Sequence, residues 1–202
     1  MEVVLRETGD LLELLAGNLV LLSSAALGTE RSFGELATLC RGTPRRVIVG
    51  GLGFGMTARG VLDVAAASTR VVVVEKVDAV IDLVKGKLAH MADRPLDDPR
   101  IELVRGDVGE VIAQRKGDVD AILLDVDNGP HWASFRTNAR LYSLAGLADC
   151  QRALAPGGVL AVWSGYRADA FLSHLRKGGF APSVVPLQER GRVRARAYVG
   201  RI

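Results

Sequence analysis

Two carboxylates close an apolar strand in ILLDVDNGPHW (122–132), where Asp125 and Asp127 stand one residue apart. Carboxylates so placed can hold a cation or take a proton from an attacking group. Asn128, a Gly-Pro turn, His131 and Trp132 follow directly, a stiff loop carrying an imidazole and an indole. His131 reads either as a general base or as a polar loop residue. Asp, Asn, Gly and Pro also end strands for purely local reasons. The pair therefore gains weight only from its surroundings.

Those surroundings repeat the pattern. Apolar runs at 46–51, 70–76, 101–107 and 119–125 end respectively on GGLGFG, Glu75, Asp107 and Asp125. Gly50, Gly51, Gly53 and Gly55 remove side chains where a ligand must approach the backbone at a helix start. Glu75 is a bidentate acceptor suited to the two hydroxyls of a ribose. Asp107 can accept from an adenine amine, and equally caps a helix beginning near Val108. Four polar features at four successive strand ends predict a nucleoside site, since ligands of open α/β sheets bind outside the carboxyl ends of the strands.

The elements that would position these residues alternate strictly. Helical spacing at 30–40, 56–66, 78–88, 143–154 and 168–179 separates the apolar strands, with Asp78 and Ser143 as expected N-caps and a further strand at 159–165. This predicts a doubly wound, mostly parallel, seven-stranded Rossmann-like sheet with helices on both faces. The last two strands, around 183–187 and 193–200, lack a helix between them and are expected as an antiparallel hairpin at one edge. In RGRVRAR the alternating Arg192, Arg194 and Arg196 read as the wet face of a strand. A small N-terminal β-hairpin turning at Gly17-Asn18 is expected before the sheet. The boundaries are taken as 1–42 for hairpin and helix and 43–202 for the nucleoside-binding catalytic domain.

At 202 residues, 49% apolar and 24% charged, the chain has the composition of an ordinary globular protein with a sizeable core. A net charge of +3 is too small to argue for nucleic acid. Glu13 and the Gly17-Asn18 pair interrupt the most apolar stretch, so no membrane span is expected. Glu2, Glu7 and Asp10 leave no basic leader, and Cys40 and Cys150 lack disulfide or metal spacing. A cytoplasmic protein without a metal is the expectation.

LAPGGVLAVW (154–163), a helix end running through Pro-Gly-Gly into a strand, resembles the class I methyltransferase-like superfamily. Within it the chain resembles the spermidine synthase family of aminopropyltransferases from the N-terminal hairpin to about residue 165. The resemblance rests on GTERSFGELA, Glu75, Gly106-Asp107, the aspartates of LLDVDNGP, and LYSLAGLADCQRALAPGGVLAV. It implies decarboxylated S-adenosylmethionine as co-substrate, a small amine as acceptor, polyamine biosynthesis, and a homodimer. It also implies Asp125 as the catalytic aspartate that positions and helps deprotonate the amine, with Asp127 as a second carboxylate. Phe33, Glu35, Asn128, His131, Trp132 and Tyr142 become the pocket. The chain departs from the family at Gly53, where the family's glycine loop carries an aspartate that holds the aminopropyl amine, and at Phe33, where it carries a tyrosine. The missing acid keeps two alternatives open: methyl transfer from S-adenosylmethionine, and a non-catalytic nucleoside-binding protein.

Overall fold

A computed structural model describes residues 4–9, 11–17, 19–126, 129–130 and 136–202. Strands β1 (Val4–Thr8), β2 (Leu11–Ala16) and β3 (Leu19–Ser23) form an antiparallel sheet in that order. The expected hairpin is thus β2–β3, and β1 adds a third strand with register Val4 to Leu15 through Thr8 to Leu11. Helix α1 (Leu27–Gly34) follows, then a 3-10 turn over Glu35–Leu39.

The remaining chain alternates: β4 (Arg46–Gly50), α2 (Met56–Val64), β5 (Arg70–Glu75), α3 (Asp78–Lys85), β6 (Ile101–Arg105), α4 (Val108–Ala113), β7 (Val119–Leu124), α5 (Leu144–Ala153), β8 (Leu154–Ser164), α6 (Phe171–Lys177), β9 (Ala181–Glu189) and β10 (Arg192–Arg201). They build a seven-stranded sheet in the order β6-β5-β4-β7-β8-β10-β9. The first five are parallel, and β10 runs antiparallel to both β8 and β9. The order reverses between β4 and β7, which makes the topological switch point.

The period of two along each strand divides the core between the two faces. Val47, Val49, Val71, Val73, Ala121 and Leu123 pack with Phe33, Val61 and Val80 on one side. Ile48, Val72, Val74, Ile122 and Leu124 pack with Ile112, Leu147 and Leu175 on the other. A sheet covered on both faces explains why these strands read as continuous apolar runs.

Three local expectations change. Asp78 is the first residue of α3 rather than its cap; Val77 holds the cap position, and Asp78 pairs with Arg105. β8 begins at Leu154, directly after α5, so Pro156 and the two glycines lie inside the strand. The arginine stripe is outward-facing at Arg192 and Arg194, yet Val193 is 45% exposed, because the register between β10 and β9 shifts from Val193 to Ala195.

The helix expected over 30–40 is α1 as far as Gly34 and a 3-10 turn beyond it, and Gly34 lies in a tight contact. A Cβ on Gly34 would stand 2.2 Å from the Thr57 carbonyl, and one on Gly60 would stand 2.0 Å from the Arg31 carbonyl. The backbones of α1 and α2 therefore touch, and only glycine fits at either position. Gly60→Ala should lower the free energy of urea unfolding by about 1–3 kcal/mol or more, the usual effect of overpacking a tight contact. Unfolding of the variant at the wild-type urea midpoint would remove this close approach from the account.

Candidate active site

At the switch point the ends of β4 and β7 are joined. The Asp125 N–H donates to the Gly50 carbonyl at 2.8 Å, and the Gly51 N–H donates to the Val74 carbonyl at 2.8 Å. Gly51 has φ +91°, and a Cβ there would lie 2.1 Å from the Asp125 carbonyl oxygen. No other residue fits between the two strand ends. Gly55, at φ +89°, starts α2, and a Cβ on it would strike Pro95.

Glu75, at the end of β5, braces this loop. Its Oε2 accepts from the Leu52 N–H at 2.9 Å, while Oε1 accepts from the N–H groups of Lys76 and Val77 at 2.9 and 2.8 Å. Asp107 caps α4 by accepting from the Gly109 N–H at 2.8 Å. It also lines a cavity of about 320 Å³ with Gly109, Ile112, Leu141 and Cys150.

Asp125 is only partly exposed, and its Oδ2 lies 2.6 Å from the Thr57 hydroxyl. Burial pushes the carboxyl up to about 6, against the lowering effect of that one hydrogen bond. Thr57 Oγ1 also lies 3.3 Å from the Glu30 carbonyl. A single hydroxyl proton cannot serve both acceptors. With Asp125 ionised, the proton belongs to the nearer carboxylate; with Asp125 neutral, the acid can donate to Thr57 and Thr57 to the Glu30 carbonyl.

Two further carboxylates lie near by. Glu30, in the first turn of α1, is held well above the usual carboxylate range by burial, then by Asp125, then by Glu189. Glu189, at the end of β9, accepts from the Gly28 N–H at 3.0 Å and so closes the N-terminal end of α1 from 161 residues away. Next to Glu30, the fully buried Thr29 accepts from the Trp163 indole N–H at 3.3 Å. Trp163 is core, as its strand position predicts, but its one polar atom also fixes the start of α1.

A profile of the spermine/spermidine synthase domain matches residues 29–168. The chain belongs to the spermine/spermidine synthase family. The polyamine aminopropyltransferase of Nitrosomonas europaea is 34% identical over 128 residues, covering 63% of this chain and 38% of that protein. The match therefore spans little more than a third of that relative's length. A spermidine synthase solved in complex with the transition-state analogue AdoDATO has a TM-score of 0.76 at 18% identity, covering 98% of this chain and 68% of that one. A methyltransferase from Geobacter sulfurreducens has a TM-score of 0.54 at 21% identity over 85% of this chain, so the fold is shared with methyltransferases. At these identities the solved structures establish the sheet and its order.

The family region contains the glycine loop, Glu75, Asp107 and Asp125, which the fold gathers at the carboxyl edge of the sheet. The other expected pocket residues are dispersed. Phe33 is fully buried in the core, packed on the sheet face with Val47 and Val49. Glu35 is exposed in the 3-10 turn after α1. Tyr142 is 5% exposed and meets Phe171 edge-on in the opposite core. Asp127, Asn128, His131 and Trp132 lie outside the described residues. Thr57, Glu30 and Glu189 were not singled out from the sequence. Glu30 was visible only as part of the GTERS motif, while Glu189 lies beyond the family region and no local signal ties it to α1.

The raised pKa of Asp125 gives a signed prediction for this family member. Its carboxyl binds a proton more tightly folded than unfolded, so its stability contribution is fully present below about pH 4 and is lost as pH rises through about 6. Asp125→Asn carries no charge to desolvate. It should exceed wild type in stability by roughly 1–3 kcal/mol at pH 8, with the gap closing towards pH 4. Urea titrations at several pH values check this; a gap that does not vary with pH would contradict the buried-acid description.

Proposed function

We propose that this cleft transfers an aminopropyl group from decarboxylated S-adenosylmethionine to a small amine, in polyamine biosynthesis. The observation that carries the reading is Asp125: a part-buried carboxylate at the switch point, hydrogen-bonded to the Thr57 hydroxyl and pushed up to about 6 by its burial. A base with that affinity is ionised at neutral pH and still retains a proton usefully, the compromise that general-base catalysis favours. Family membership supports the reaction class, and the AdoDATO complex of a spermidine synthase of the same fold supports the co-substrate.

The donor's sulfonium makes the adjoining methylene electrophilic. Asp125 holds the acceptor amine and takes its proton, leaving the nitrogen lone pair free to attack that carbon. A carbon–nitrogen bond forms as the carbon–sulfur bond breaks; its electrons return to sulfur, and 5′-methylthioadenosine leaves as a neutral thioether. Asp127 provides a second carboxylate for the cationic acceptor in this proposal. Glu75 accepts from the ribose hydroxyls while still bracing Leu52. Asp107 takes the adenine amine at the mouth of its cavity, whose volume lies within the usual range for small-molecule sites.

Two substitutions test the assignment. Asp125→Asn keeps the shape of the side chain and loses its proton affinity, so turnover should fall on the order of 10²–10⁴-fold with methylthioadenosine binding nearly intact. Full turnover would remove Asp125 from the chemistry. Glu75→Gln should weaken every adenosine ligand by about 10–100-fold, the loss expected when a charged acceptor is neutralised. A thermal-shift panel of decarboxylated S-adenosylmethionine, S-adenosylmethionine, S-adenosylhomocysteine and methylthioadenosine reads both affinity and donor. Selective stabilisation by S-adenosylmethionine would move the assignment to methyl transfer.

A further inference from the structure

The glycine loop carries no acid, but an acid stands over it. A Cβ built on Gly53, at φ +53°, would lie 4.0 Å from Oε2 of Glu30, with Leu22 its other near neighbour at 3.8 Å. Glu30 reaches this place because α1 lies against α2 through Gly34 and Gly60. The contact of Thr57 with the Glu30 carbonyl holds that turn beside Asp125.

The Glu30 carboxylate is short of partners. Among the described residues it accepts no hydrogen bond and forms no salt bridge, whereas Glu189 accepts the Gly28 N–H and Asp125 accepts the Thr57 hydroxyl. It is part-buried, and burial, Asp125 and Glu189 each raise its pKa. A first-turn acid ordinarily gains from the helix dipole; here burial and like charge outweigh that gain. An arrangement of this kind is costly in the free protein and is relieved when a cation enters. Among the described residues the carboxylates are not grouped to hold a metal ion. An ammonium on a flexible chain has no such geometric requirement.

We propose that Glu30 is the specificity-determining carboxylate for the donor, accepting the ammonium at the end of its aminopropyl chain from above Gly53. The assignment rests on the transferase reading given above. It names the donor ammonium because Glu30 overhangs the glycine loop, against which the donor must lie, while Asp125 at the next strand end remains for the acceptor. The acid absent from the loop is thereby supplied by α1.

Titration calorimetry of the full chain with decarboxylated S-adenosylmethionine and with 5′-methylthioadenosine separates this role from the nucleoside site, because the second ligand lacks the aminopropyl ammonium. Wild type should prefer the cationic ligand. Glu30→Gln should weaken that ligand by about 10–100-fold, as for loss of a charged hydrogen bond, and leave methylthioadenosine within about twofold. Unchanged methylthioadenosine binding also shows that the variant is folded. Equal weakening of both ligands, or of neither, overturns the assignment of Glu30 while leaving the transferase reading intact. Wild type that binds neither nucleoside overturns the transferase reading and this assignment together.

Discussion

The close approach of two strand ends governs everything at the carboxyl edge of the sheet. Asp125 donates its N–H to Gly50, and the Asp125 carbonyl occupies the space where a side chain on Gly51 would have to stand. This contact puts the acid that follows β7 beside the first turn of α2, where Thr57 is the hydroxyl that meets it. Bringing a carboxylate so far into protein raises its proton affinity; giving it one hydroxyl rather than an arginine leaves that affinity raised. Had a guanidinium been placed there, the acid would have been satisfied and chemically inert at neutral pH.

The same economy explains the role of glycine in the neighbouring loop. Three of its glycines have positive φ, and at Gly51 and Gly55 a Cβ would collide with backbone or with Pro95. Gly53 differs, because among the described residues the nearest atom to its Cβ position lies 3.8 Å away. Sterically a side chain would fit there, although its left-handed backbone disfavours one. The open space at Gly53 is shared with Leu22 of the N-terminal sheet and with Glu30. The N-terminal elements therefore participate in the site's surface as well as in the core, where Leu14 of β2 is buried with Phe33.

The sheet was legible in the sequence because strands covered on both faces are apolar throughout, and amphipathic helices between them leave few topologies. The strand-end acids were legible for the related reason that a charged residue closing such a run has to be explained. Glu30 and Glu189 gave no comparable signal. Glu30 lies in a helix where acids are common near the start, and only the contact of α1 with α2, set by Gly34 and Gly60, turns it inward. Glu189 depends on a strand pairing formed at the far edge of the sheet. Phe33 shows the converse failure: a position matched by motif to a polar site residue proved to be core, because loss of the hydroxyl is compatible with full burial.

The residues divide by origin as well as by visibility. Groups assigned to the neutral nucleoside come from loops that directly follow β4, β5 and β6, so their spacing is fixed by strand separation and tolerates little change. On the proposed assignment, the carboxylates that meet positive charge come from α1 and from the end of β7, and the placement of α1 depends on helix packing. A shift of α1 along α2 would move Glu30 while leaving Glu75 and Asp107 where they are. On the proposed assignment, recognition of the nucleoside and recognition of charge draw on different elements and can vary separately on this scaffold.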